Sequence, residues 1–226
     1  TISKTNTFLT TFEAISNSAE NYLKNIDPDR NNEWKPRFSG QVPVRPENHE
    51  IEKAREEFKE YLDYLHQLPV FQSIERGESV IDLREFPDGD NEIDTKQGHL
   101  LLRPIGQQIL ASAVGELVAG GMNLNQIFEI LTQKDKEGKF SAHKPGNLWY
   151  GVTYNFHKPS MITSNQVLAS DLFVYLIKGA DRTDQEDLLN KVKHLRSFTD
   201  DKGTKVWRDF SGKDSKFESG SDFLPL

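Results

Sequence analysis

The best-organised stretch of the sequence is Gly98-His99-Leu100-Leu101-Leu102-Arg103-Pro104-Ile105-Gly106-Gln107. Its run of leucines favours a brief strand. Proline is tolerated in the first turn of a helix, so Arg103-Pro104 predicts a helix start. Apolar residues then recur at helical spacing up to Gly120-Gly121, where the helix should end. They are Ile105, Ile109, Ala113 and Leu117.

Other segments also show the apolar periodicity of amphipathic helices. We predict helices over residues 6–26, 47–66, 69–76 and 164–178. The first should be capped by Thr5 or Asn6 and should end at Asp27-Pro28. Two more helices should begin at capping boxes, one formed by Asn123 and Gln126 and the other by Thr183 and Glu186. The segment 164–178 is apolar on most faces and should be the most buried.

The segments between these helices are polar or rich in turn-forming residues. Residues 27–46 hold four prolines and predict an extended linker or surface loop. Residues 134–146 predict a polar loop, and the aromatic segment 148–156 predicts a strand or a packed loop. Asp88-Gly89-Asp90-Asn91 predicts a turn.

These patterns together predict a mainly α fold, an irregular helical bundle with at most a few short strands. We expect a helical domain over residues 1–197. Residues 198–226 form a polar tail dotted with aromatics, which is either disordered or docked through them. These aromatics are Trp207, Phe210, Phe217 and Phe223.

Length, charge and cysteine content narrow the class of protein. The chain has 226 residues, a formal net charge of -7 and no cysteine, which excludes disulfides, thiolate zinc sites and cysteine nucleophiles. We find no secretion signal and no apolar run of about 20 residues, so we expect a cytoplasmic protein without a membrane segment. The chain begins with Thr1, which we interpret as the start of a segment of a longer protein.

The common catalytic motifs do not occur in the sequence. Gly138-Lys139 lacks the upstream glycine of a phosphate-binding loop, and we find neither a dinucleotide fingerprint nor a serine elbow. The six histidines never stand at ligand spacing. We therefore predict no catalytic residue, no cofactor and no metal site in this segment, and the sequence favours a part that is not itself an enzyme.

Basic residues cluster over 134–144, 191–196 and 202–216, beside aromatics. Such a pattern is typical of phosphate or single-strand binding. It is also typical of solvated faces and of helix ends that compensate the dipole, and the net charge favours that alternative. Arg103 at a helix start suits a phosphate or a structural ion pair. The predicted nucleic-acid contacts are Arg103, Lys139, Lys144, Lys191, Lys193 and Arg196.

Three stretches, in order, resemble the C-terminal part of DGQHR-domain proteins, the group that includes DndB-like regulators of DNA sulfur modification. They are residues 3–12, the "RPIGQ" stretch within 98–107, and residues 148–163 with the helix that follows. The Asp-Gly-Gln-His-Arg signature does not occur in this sequence. In the family, a ParB-like domain would lie upstream of Thr1.

The resemblance implies a DNA-binding regulatory or accessory module of a bacterial, phosphorothioation-like DNA-modification system linked to phage defence. The expected partners are DNA and other DNA-modification proteins, and an oligomer is compatible with the sequence. One alternative is the helical part of an ATPase or nuclease whose active centre lies upstream, in which case the longer protein would use ATP. Another alternative is an interaction scaffold, which the net charge favours.

Overall fold

The computed structural model describes residues 9–34, 45–86, 97–179, 185–217 and 224–225. Within these ranges the protein is mainly α, and this prediction is confirmed. The helices are α1 (Phe12–Ile26), α2 (Pro28–Trp34), α3 (Asn48–Leu65), α4 (Pro69–Glu75), α5 (Val80–Arg84), α6 (Pro104–Ala119), α7 (Leu124–Lys136), α8 (Gln166–Lys178) and α9 (Gln185–Leu195). The strands are β1 (Tyr154–Asn155), β2 (Ser160–Met161), β3 (Ser197–Thr199), β4 (Lys205–Arg208) and β5 (Asp214–Lys216).

Helix α6 lies at the centre of the bundle, where it packs against both α1 and α8. Its side chains Leu110, Val114 and Leu117 are completely buried, as are Leu172 and Phe173 of α8. Both helices are apolar on most faces because each has neighbours on more than one side. The segment predicted to be most buried thus shares the core with α6.

Two glycines of α6 allow the backbone of neighbouring segments to approach this helix closely. A Cβ atom at Gly106 would lie 2.1 Å from the carbonyl oxygen of Leu100, and one at Gly115 would lie 2.7 Å from that of Tyr22. Nine positions separate them, about two and a half turns, so they lie on opposite faces of the helix. One face of α6 therefore packs against the turn that precedes this helix, and the opposite face packs against α1.

The spacing of Phe8, Phe12, Ile15, Ala19, Tyr22 and Ile26 predicts one apolar stripe on the first helix, and the close contact of α1 with α6 explains why only part of it is buried. Phe12 and Ile15, expected to be buried, are 87% and 41% exposed. The buried residues are Ala14, Ser18 and Tyr22. Small side chains suit a helix that approaches a glycine face.

Helix α1 begins later than predicted, and α2 was not predicted at all. The hydroxyl of Thr11 caps α1 by accepting the amide of Ala14 at 3.1 Å, whereas Thr5 and Asn6 lie outside the described residues. Residues 28–34 form a helix where the prolines indicated a loop, because proline is compatible with a first helical position. Arg30 Nη1 lies 2.9 Å from Glu57 Oε2 and ties α2 to α3.

The leucine run before α6 is a 3-10 turn, Leu100–Leu102, rather than a strand. His99 Nδ1 accepts the amide of Leu101 at 3.2 Å, and the amide of Arg103 donates to the carbonyl of Leu100 at 3.0 Å. These local hydrogen bonds close the turn, and its leucines are fully buried. The helix predicted after it is confirmed as α6.

The remaining helix predictions have mixed outcomes. Helices α3, α4 and α8 are confirmed, and α7 begins with the predicted capping box of Asn123 and Gln126. The second box, at Thr183, and the turn at 88–91 lie outside the described residues. The short segment before that turn is helix α5.

Residues 197–217 form an antiparallel sheet in the order β3-β4-β5. Trp207 on β4 is fully buried, and the hydroxyl of Tyr175 donates to the carbonyl of Leu224 at 3.2 Å. Of the two alternatives for the tail, docking therefore describes these residues. The predicted boundary between 197 and 198 falls inside β3.

Candidate nucleic-acid interface

Arg103 is half-buried at the start of α6. Its guanidinium donates to the carbonyl of Arg84 and lies 4.7 Å above the ring of Phe86. Burial, followed by repulsion from Arg84, lowers the pKa of Arg103 to about 10, with Glu85 acting in the opposite direction. The side chain is thus used within the protein.

The start of α6 is filled by the chain itself. The carbonyl of Leu100 occupies the space beside Gly106. The amide group of Gln107 donates to the carbonyl of Leu101 at 2.9 Å, and its oxygen accepts the hydroxyl of Thr10 at 2.6 Å. These contacts argue against a phosphate at this helix end, and we leave Arg103 out of the proposed interface.

Arg196 is fully buried and joins two loops. Its guanidinium donates to the carbonyls of Pro145 at 3.1 Å and Asn147 at 2.6 Å. It also lies 4.4 Å from the ring centre of Phe210. Burial lowers the pKa of Arg196 to about 9. This arginine holds the loops in place and does not reach solvent, so it is also left out.

The two lysines predicted on α9 are engaged by neighbours. Lys191 Nζ lies 2.6 Å from Asp187 Oδ2, one helical turn earlier. Lys193 Nζ lies 5.2 Å from the ring centre of Trp207 on β4. The basic end of α9 therefore stabilises its own helix and the sheet contact, and it presents no cluster of unpaired cations.

The other two predicted contacts, Lys139 and Lys144, lie with Lys134 on residues 134–147, which we call the lysine loop. Gly138 has a φ of +70° and ends α7. The amide of Gly138 donates to the carbonyl of Asp135 at 2.9 Å, and that of Lys139 to the carbonyl of Lys134 at 3.0 Å. This pair of bonds is the Schellman motif, which commonly brings two apolar side chains together. Here the motif brings two lysines together.

Hydrogen bonds from the protein core fix the lysine loop. Trp149 Nε1 donates to the carbonyl of Lys139 at 2.6 Å. The side-chain amide of Asn147 donates to the carbonyls of Gly138 at 2.9 Å and Ser141 at 2.8 Å. The backbone of Phe140 accepts the amide of Leu100 at 2.8 Å. The predicted loop is present, but it is only partly polar at its surface, because residues 140–143 are buried.

The electrostatics of the loop favour an anion. Burial lowers the pKa of Lys139, and repulsion from Lys134 and Lys144 lowers it further, against the attraction of Glu137. Glu137 also lies 3.4 Å from Lys134 Nζ. The loop's other acid, Asp135, is buried, where it faces His99 Nε2 at 2.9 Å. Glu137 is therefore the loop's own exposed acid beside Lys134 and Lys139.

His143 belongs to the lysine loop, but its side chain is buried and does not add a positive charge at neutral pH. The hydroxyl of Ser141 donates to the carbonyl of Gln97 at 2.8 Å, and His143 Nδ1 lies 3.2 Å from the same hydroxyl oxygen. Burial, with a smaller contribution from Lys144, lowers the pKa of His143 to about 4. The histidine of the predicted basic cluster is therefore a neutral part of the core.

The third basic cluster meets the loop through the turn before β5. A Cβ atom at Gly212 would lie 3.2 Å from the ring of Pro145, so Lys213 follows directly on this contact. The sequence places Lys144 and Lys213 in separate clusters. Beside the contact of Gly212 with Pro145, the carbonyl of Pro145 accepts the guanidinium of Arg196, which no local pattern marks as a buried residue. Gly138, the helix-ending glycine, is the one signal that could have revealed the pair Lys134 and Lys139.

The described residues contain no group of three or more histidine, aspartate or glutamate side chains that could hold a metal ion. Within the same ranges, none of the helices has the length and apolar character needed to cross a membrane.

The chain matches none of the protein-family models, curated proteins or solved structures with which it was compared. The resemblance to DGQHR-domain proteins therefore stays a prediction, carried by the stretches quoted above.

Proposed function

We propose that the lysine loop binds the phosphate backbone of DNA, and that the chain is a regulatory or accessory module of a cytoplasmic, bacterial DNA-modification system. The observation that carries the DNA contact is the pairing of Lys134 with Lys139 by the backbone of the Schellman motif, next to Lys144. A residue pair that breaks the local preference for an apolar contact is typical of a functional site.

A polyanion relieves the repulsion among these ammonium groups. Phosphate neutralisation by lysine releases counterions, which makes such binding depend strongly on salt. The acidic surplus of the whole chain weakens the attraction at long range. At physiological ionic strength, however, charges beyond roughly 8 Å are largely screened, so the local cluster decides the contact.

The place of the module in a modification system is supported by the family resemblance alone. On this proposal the other modification proteins are partners, and nucleotide hydrolysis belongs to the longer protein. Nucleotide turnover by the longer protein and its absence in this chain would agree with the proposal.

The DNA contact is tested by a double charge reversal in the loop, Lys139→Glu with Lys144→Glu. Affinity for a short DNA would be measured by fluorescence anisotropy over a series of salt concentrations. We expect weaker binding and a salt slope that falls by about one for each lysine that contacts a phosphate.

The matched control is Lys53→Glu with Lys59→Glu on α3, which changes the net charge by the same amount. These two lysines are exposed and pair with Glu57 and Asp63. If both double variants weaken binding equally, the effect belongs to net charge, and the lysine loop is not the interface.

A further inference from the structure

A second surface lies between the β1–β2 hairpin and the C-terminal sheet. The ring centre of His157 is 4.3 Å from that of Phe156 and 5.2 Å from that of Phe198. The guanidinium of Arg208 lies 5.5 Å from Phe156 and 5.7 Å from Phe198. We call these four residues the aromatic platform.

The sheet register orients the platform residues of β3 and β4 toward the same side. Phe198 pairs with Val206, and Arg208 stands two positions further along β4. Side chains two apart on a strand share a face, and directly paired residues do too. Asp214, opposite Arg208, holds the guanidinium at 2.6 Å. The rings and the guanidinium are thus fixed by the backbone and by one ion pair.

The platform differs from the aromatic core in its access to solvent. Trp149 and Phe173, whose ring centres lie 4.3 Å apart, are fully buried. His157 is exposed, and Phe156 and Phe198 are only half-buried. Exposed Lys158 follows His157 in the hairpin turn. The surface therefore combines accessible rings with cationic groups.

A chain of ring contacts connects the platform to the lysine loop. The ring centre of His143, a buried residue of the loop, is 6.3 Å from that of Tyr154. Tyr154 is 5.8 Å from Tyr150, which stacks on Phe156 at 5.0 Å with an interplanar angle of 9°. The platform and the loop are thus parts of one continuous body.

We propose that the aromatic platform stacks unpaired bases of single-stranded DNA whose phosphates lie on the lysine loop. This inference rests on the proposed function and adds the form of the nucleic acid. Aromatic rings and guanidinium planes bind the faces of bases, which are accessible in a single strand and hidden in a duplex. Exposed Lys158 beside the rings complements an adjacent phosphate, whereas the charge of Arg208 is paired with Asp214 and its guanidinium plane is available to a base.

The test compares three labelled DNAs of about 12 nucleotides, a length within the range of single-strand sites. They are a single strand, the same strand without bases, and a blunt duplex. The variants are His157→Ser, at an exposed position, and Phe198→Leu, which keeps an apolar side chain in the sheet. Phe12→Leu, at an 87% exposed phenylalanine of α1, is the matched control.

We expect the wild-type chain to bind the single strand more tightly than the abasic strand and the duplex. Each platform variant should lower single-strand affinity by about 10-fold, with little change for the abasic strand. Phe12→Leu should leave all three affinities unchanged. Thermal unfolding of each variant would show that Phe198→Leu remains folded.

The outcomes separate the two proposals. Equal affinity for the three DNAs, unchanged in the platform variants, would overturn the platform while leaving the lysine loop in place. Single-strand affinity that is undiminished in Lys139→Glu with Lys144→Glu would overturn the loop and keep the platform. Absence of binding to all three DNAs would overturn both.

Discussion

The helical core and the loops after α7 are held together by different kinds of buried groups. Between α6 and α8 the fully buried side chains are apolar, such as Val114 and Leu172. In the loops, the buried groups that join segments are polar: Arg196, Asn147 and the indole N–H of Trp149. The stability of the core therefore depends on how completely apolar side chains fill its volume, and the conformation of the loops depends on the geometry of their hydrogen bonds. The candidate interface lies in the loops, where hydrogen bonds to individual carbonyl groups fix the backbone.

The largest effect is expected in the core, from Leu172→Ala. The leucine is completely buried in α8, so its loss removes apolar contact and leaves a cavity. We expect the free energy of unfolding to fall by about 3–4 kcal/mol. Chemical denaturation would measure this change. The control is Val167→Ala on the same helix, where the side chain is 78% exposed and the change should be near zero.

A somewhat smaller but more local effect is expected in the loops, from Arg196→Ala. The substitution leaves the carbonyls of Pro145 and Asn147 without their buried donor, for a loss of about 2–3 kcal/mol. Hydrogen exchange should increase first in residues 144–151 and 208–212. Affinity for DNA should fall as well, although Arg196 itself is buried. Exchange that increases uniformly over α6 and α8 would contradict a separate role for the loops.

The smallest effect on stability is expected from a change in pH, and it acts through His143 in the lysine loop and not through the helical core. The pKa of His143 in the folded protein, about 4, lies below the value near 6.5 in the unfolded chain. Between these values the unfolded chain binds more protons, so stability falls as the pH is lowered. From pH 7 to pH 5 we expect a loss of at most about 2 kcal/mol, because solvent screening reduces the effect of the shift.

Denaturation curves at the two pH values would measure this loss. In His143→Gln the titrating group is absent, so the difference between the two pH values should shrink. A variant that keeps the full pH dependence would show that other groups cause it.

Sequence patterns predict the core well because apolar periodicity reports burial along a helix. Helices α3, α6 and α8 follow from spacing, and α7 follows from its capping box. The C-terminal sheet does not follow, because its strands are short and its composition is polar. Its turns depend on Asp200 and Asp209, whose carboxylates accept backbone amides within the turns. Such aspartates are also common in disordered chains.

The candidate site could be predicted only in part. The sequence marks where positive charges cluster, and Lys139 and Lys144 do lie on one loop. Burial removes Arg103 and Arg196 from the site, and burial depends on contacts between distant segments. Arg196 shows this clearly, since its partners lie about 50 positions earlier in the chain. No pattern around residue 196 indicates that its guanidinium is inside.

The two backbone contacts on α6 offer a means of recognising related folds whose sequences have diverged. Any side chain at position 106 or 115 would force the 3-10 turn or α1 away from the central helix. A homologue with the same arrangement must therefore keep glycine at both positions, with eight residues between them. Glycine is otherwise disfavoured within helices, by about 1 kcal/mol relative to alanine. Two helical glycines at this spacing are therefore a more specific sign of common ancestry than the leucines that surround them.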